Sequence, residues 1–202
     1  MKDLQTLKEQ SLVEEIIFSG KTNVLLVIFD RWFDPQFNYL LNYTKDSTIA
    51  SLLSFYAMRL MLLSLPHYNS KRSFSNFVYT YAEKTCFIWE QYKQKQQFDQ
   101  KLVNDFAQGK YNQQQLKIVL QKDLSKELWI IVKECLIQVP NSIPEDQLPD
   151  VNLLSEWLKI DRKESRLLLM NVWGIISIRY PKDHQDNFTF LLERMVEKYS
   201  PN

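Results

Sequence analysis

Apolar residues recur along this chain at intervals of three and four, with polar residues between them. Leu4, Leu7, Leu12, Val13, Ile16 and Ile17 form the first such series, the spacing that lines one face of an α-helix. Asp3 can cap it and Gly20 can end it, so a helix is predicted over residues 4–18. Residues 24–33 (VLLVIFDRWF) are almost continuously apolar, which suits a buried strand or a buried helix. No partner strand lies nearby, and helix is the preferred reading. Asp34 and Pro35 then read as the cap and first residue of another helix. Ile49, Leu52, Leu53, Tyr56, Leu60 and Leu63 share a helical face that Pro66 closes. Ser73 can cap the next helix, whose stripe is Phe74, Phe77, Val78, Tyr81, Ile88 and Tyr92 and which can continue toward Phe106 before Gly109. The fullest match to the helical template is 124–139, with Leu124, Leu128, Ile131, Val132, Cys135, Leu136 and Val139. Asp123 offers its cap and Pro140 its stop.

The fold class expected is therefore all-α: a helical bundle, with a small C-terminal winged-helix-like β-hairpin as its one admissible addition. Residues 140–150, with Pro140, Pro144 and Pro149 among polar residues, form the best loop or linker. They divide the chain into a bundle over 1–139 and a helical or winged-helix-like lobe over 151–202, unless the whole is one domain.

The hairpin expectation comes from residues 153–191. A short helix through Leu158 would be followed by a turn at Lys159-Ile160, and Asp161 could cap a second helix ending at Gly174. Residues 175–180 (IISIRY) alternate and are β-prone, 181–186 form a polar tip, and 188–191 could be a return strand. This order resembles a winged helix-turn-helix. Ser155 would be the small residue inside the first helix, Ile160 the apolar residue closing the turn, and Gly174 the break before the wing. The helix over 124–139 would be the support helix. Lys159 departs from the glycine common at the turn, and Ser165 from the usual Val or Ala. The resemblance implies phosphate contacts by Arg162, Lys163, Arg166, Arg179 and Lys182. Asp161, Glu164, Asp183 and Asp186 stand among these cations and would repel phosphate. Many winged helices dock proteins instead.

Composition narrows the function. Only 3 glycines occur, all isolated (Gly20, Gly109, Gly174), so the chain has neither a Walker loop nor a dinucleotide fingerprint. The net charge of +1 gives no global field toward nucleic acid or anionic membrane. Hydrophobic residues at 45% and charged residues at 24% are ordinary globular values and exclude a disordered chain. Cys86 and Cys135 are expected to be buried free thiols, which fits an intracellular, cytoplasmic protein, with nucleus or nucleoid as the alternatives. Met1 leads into charged residues rather than a signal core. Residues 49–65 are short for a membrane span and carry Arg59 near their middle, so they read as a core helix.

No catalytic, metal or cofactor site emerges. His67 and His184 lack further ligands at metal-binding spacing. Glu14-Glu15, Asp30 with Asp34, and Glu145-Asp146 are carboxylate pairs with no sign of a cleft. Residues 70–81 mix Lys71 and Arg72 with rings, as single-strand binders do, but most rings fall at core spacing. Tyr79 lies off that stripe. The expected function is a non-enzymatic protein–protein interaction module, an adaptor or subunit in a hetero- or homo-oligomer, away from membranes and without cofactors. Trp157 and Tyr79 are its candidate partner-binding residues, since tryptophan and tyrosine are common interface anchors. The alternative is a DNA-binding regulator that uses 152–190.

Overall fold

The three- and four-residue spacing becomes helix wherever the chain is described. The computed structural model describes residues 8–94, 113–136, 144 and 146–179, and among these there are seven α-helices and no strand. They are α1 Glu9–Ile17, α2 Val24–Thr44, α3 Ser47–Leu63, α4 Phe74–Gln94, α5 Gln113–Cys135, α6 Val151–Leu158 and α7 Arg162–Arg179, with a 3-10 turn at Leu65–His67 after α3. The all-α expectation holds for these residues. None of their helices is long and apolar enough to cross a membrane.

α3 is the centre of the bundle. Asp46 caps it, its carboxylate accepting from the Thr48 and Ile49 N–H groups at 2.8 and 3.0 Å. Every residue from Ala50 to Leu63 is buried, which explains why its sequence is apolar nearly all round. It packs chiefly against α2 and α4. Ser51 and Ser54 satisfy their hydroxyls on carbonyls one turn back. Arg59, buried as a core-helix reading requires, reaches α5: its Nε donates to Asp123 Oδ2 at 2.5 Å, and Glu127 lies at 3.5 Å.

Several expected boundaries move. α1 starts at Glu9, because Lys8 is extended; Asp3, Leu4 and Leu7 lie outside the described residues. α2 runs straight through Pro35 instead of restarting there. Pro35 supplies no N–H to the ladder, a cost of about 3 kcal/mol. The buried side chains of Phe29 and Phe33 before it, and Gln36 and Leu40 after it, hold the helix together across it. α5 begins at Gln113, so Asp123 is an interior residue paired with Arg59 rather than a cap. α5 ends at Cys135, short of Val139. Ser73 does cap α4, accepting from the Asn76 N–H at 3.1 Å; its continuation toward Phe106 lies outside the described residues.

The expected wing strand over 175–180 is corrected over its described residues, for Ile175 through Arg179 are the last turns of α7; Tyr180 lies outside the described residues. Leu168, Leu169, Val172, Trp173 and Ile176 form one buried helical stripe that continues past Gly174, and it outweighs the local alternation. The polar tip and return strand lie outside the described residues.

Helices before and after the Pro-rich stretch share one buried cluster, from Leu12 to Ile176. The described part of that stretch is tied down. The Gln147 carbonyl accepts from Trp129 Nε1 at 2.9 Å and from Ser125 Oγ at 2.5 Å, and the Pro149 carbonyl accepts from the Thr22 hydroxyl. Gly20 sits at φ +67°, where an added Cβ would lie 2.5 Å from Val151 Cγ2 and 2.8 Å from Leu169 Cδ1. Its missing side chain lets α6 and α7 close onto the turn after α1.

Candidate functional site

The best-organised local structure is the α6–turn–α7 unit. Asp150 caps α6, accepting from Asn152 and Leu153 N–H at 2.9 Å each. The helix ends at Lys159 in the left-handed conformation, φ +58°, where a side chain costs about 1–2 kcal/mol. Two contacts hold the chain there. The Ser155 hydroxyl donates to the Ile160 carbonyl at 2.7 Å, and Asp161 caps α7 by accepting from Lys163 and Glu164 N–H at 2.7 and 2.8 Å. Glu164 reaches back toward the Asp161 N–H at 3.4 Å, completing a capping box. Ser165 is fully buried with its hydroxyl on the Asp161 carbonyl. The turn and the Asp161 cap thus stand where the residues placed them, and Asp161 and Glu164 are engaged by backbone N–H groups.

The inner face of α7 packs on α5, α6, the 3-10 turn and α1. Its outer face carries Leu167, Met170 and Ile178, exposed to 51%, 40% and 76%. Gly174 lies between the last two, with open space where a Cβ would stand. These three positions fall on one side of a 3.6-residue helix. Arg162, Lys163 and Arg166 are exposed at its first two turns. Arg179 is at the far end, about 25 Å away along the helix, and pairs with Glu134 of α5, which raises the guanidinium pKa. Of the five cations weighed for DNA, the structure brings three together and separates Arg179; Lys182 lies outside the described residues.

Trp157 and Tyr79 belong to two separate ring clusters. Trp157 is half-buried and meets Trp129 of α5 edge-on, ring centres 5.4 Å apart. Tyr79, also half-buried, packs on Tyr39 at 5.4 Å and Trp32 at 6.5 Å, both on α2. Trp89, Trp129 and Trp173 are buried. No tryptophan is fully exposed, so the apolar surface lies elsewhere. Leu167, Met170 and Ile178 were the residues sequence reasoning passed over. Their signal was partial: residues 167–176 are apolar at more positions than one helix face can bury, but which side chains stay exposed, Ile178 included, is set by the packing of the inner face of α7.

The remaining chemistry is dispersed. Asp30 and Asp34 do share the uninterrupted α2, but both are exposed, and Asp30 pairs with Lys117 at 2.5 Å. Glu15 pairs with Lys21. His67 ends the 3-10 turn, and His184 lies outside the described residues. Cys86 is buried, which with nearby Glu90 and Glu83 pushes its thiol up to about 11; Cys135 is half-buried and its thiol is also raised. Thiols so raised are poor nucleophiles. Among the described residues, no three His, Cys, Asp or Glu side chains cluster closely enough to hold a metal ion. Compared with protein-family models, curated proteins and solved structures, the chain matches none.

Proposed function

We propose that the chain is a non-enzymatic interaction module that docks another protein through the outer face of α7, as an adaptor or subunit inside the cell. The observation that carries this reading is the stripe Leu167–Met170–Ile178, apolar and exposed on a helix whose other side is locked into the core. Apolar area removed from water contributes about 25 cal/mol per Å², and a rigid helix loses little entropy when it docks. The test is recovery of the full chain from its native cells, with and without nuclease, beside a Leu167→Glu/Ile178→Glu variant. A stoichiometric protein that survives nuclease and is lost with the variant supports the reading. Equal recovery by both proteins overturns it.

The same helix supports a second reading. A left-handed turn residue, a Ser155 bond across the turn and three exposed cations at the start of α7 suit a DNA-contacting helix-turn-helix. On that reading, Arg162→Glu, Lys163→Glu and Arg166→Glu together abolish a salt-sensitive DNA complex, while Ile178→Glu leaves it intact. Three phosphate contacts would give a log–log salt slope of about −2.7.

A further inference from the structure

The loop between α3 and α4 forms one wall of a cleft, and the cleft is independent of α7's outer face. Its volume is about 1270 Å³, and the described residues lining it run from Leu60 to Ile88. Small-molecule pockets usually occupy about 300–1000 Å³, so the space suits a large organic ligand. One side is a ladder of rings: Tyr68 to Phe77 at 5.3 Å and Phe77 to Tyr81 at 5.1 Å. Lys71, Arg72 and Lys84 line it too, against one carboxylate, Glu83. That local excess of positive charge stands out on a chain whose net charge is +1.

The backbone that carries Lys71 and Arg72 is held by hydrogen bonds. The Asn69 side chain accepts from the Lys71 N–H at 3.0 Å, the Arg72 N–H donates to the Asn69 carbonyl at 2.9 Å, and the Tyr68 hydroxyl donates to the Arg72 carbonyl at 3.1 Å. The Lys84 ammonium lies 4.9 Å from the centre of the Tyr81 ring. Among the described residues none of the three cations has an acidic partner. Both phenols are neutral at pH 7, and burial raises the pKa of Tyr68 and Tyr81 further above the ordinary value. Cations carried at a ring-lined opening suit a ligand with an apolar body and an anionic end.

We infer that this cleft binds an amphipathic organic anion, its ring or chain body against Tyr68, Phe77 and Tyr81 and its carboxylate, sulfonate or phosphate group at Lys71 and Arg72. The assignment does not depend on the reading of α7. The probe is anilinonaphthalene sulfonate, compared with neutral N-phenylnaphthylamine, which keeps the rings and lacks the anion. Both are titrated by fluorescence into the full chain at low salt, with dodecanoate and dodecanol as competitors. Dodecanoate displacing the sulfonate probe extends the class to acyl anions; failure to displace it confines the class to aromatic anions. The expected result is at least tenfold tighter binding of the sulfonate than of the neutral probe. Lys71→Glu/Arg72→Glu removes that difference and leaves neutral-probe binding and the helical circular-dichroism signal unchanged. A Phe87→Asp change, at an exposed ring on the cleft edge, weakens both probes. Equal affinity for the two probes, or a sulfonate signal that survives the charge reversal, overturns the inference. So does a signal abolished by Leu167→Glu/Ile178→Glu, which would place the probe on α7; that outcome leaves the docking proposal standing.

Discussion

Arg59 stands in the middle of the most apolar stretch of the chain, and its side chain is 6% exposed. Its charge is tolerated because Asp123 and Glu127 meet it from α5. Removing Asp123 leaves the buried guanidinium with only the longer Glu127 contact, so Asp123→Ala should cost roughly 3 kcal/mol in urea unfolding, whereas Arg59→Met/Asp123→Leu should recover most of that loss. Tyr56, fully buried on the same helix, has its hydroxyl pushed up to about 12 by burial, with Arg59 pulling the other way. The unfolded chain gives up this proton near pH 10 and the folded chain holds it to about 12. Its contribution is therefore complete below pH 10 and disappears as pH rises toward 12, at about 1.4 kcal/mol per pH unit. A Tyr56→Phe variant should show a shallower alkaline decline in stability than the parent chain; identical curves would refute the assignment. The sequence showed that Arg59 had to be accommodated, but its partner is 64 positions away. Asp123, seen only beside the apolar run it precedes, looked like a cap.

At the scale of elements, apolar periodicity marked α1, α3, α4 and α5, and the helical reading of 24–33 also holds. Local punctuation was less reliable. Pro35 reads as a helix start because its ring forbids an interior hydrogen bond, yet buried residues on both sides carry α2 through it. Residues 175–179 read as strand because they alternate, yet the stripe that began at Leu168 carries α7 past them. In both places tertiary burial outweighed local preference, which no short window can weigh. Where capping chemistry is strong, the boundaries were legible: Ser73 and Asp161 lie where expected. Asp161→Ala should lower stability by about 1 kcal/mol. Lys159→Gly should raise it by up to about 1 kcal/mol, by relieving a left-handed side chain. Thermal unfolding of the two variants against the parent checks both signs.

At the scale of the whole molecule, the Pro-rich stretch that reads as a linker is stitched to α5 and to the turn after α1 at its described end. Gly20 is the tightest point of that junction. Gly20→Ala should destabilise the chain by about 1–3 kcal/mol, because the methyl group meets Val151 and Leu169 at a positive φ. A stability within about 0.3 kcal/mol of the parent in urea unfolding would refute the close approach. The candidate surface was only half legible. Its cations could be read from the chain, but its apolar stripe emerges only once the inner face of α7 is known.

The same junction makes the α6–α7 unit non-portable. Transplanted to another scaffold, or expressed from Val151 onward, it would present Leu168, Val172, Trp173 and Ile176 to water and would aggregate before it recognised anything. A partner docking on α7's outer face as proposed would therefore recognise the assembled bundle, and its affinity would be thermodynamically linked to the bundle's folding. Such a partner would act as a pharmacological chaperone: at 100 times its dissociation constant it would add about 2.7 kcal/mol to the free energy of global unfolding, enough to offset much of the loss from a broken Arg59–Asp123 pair.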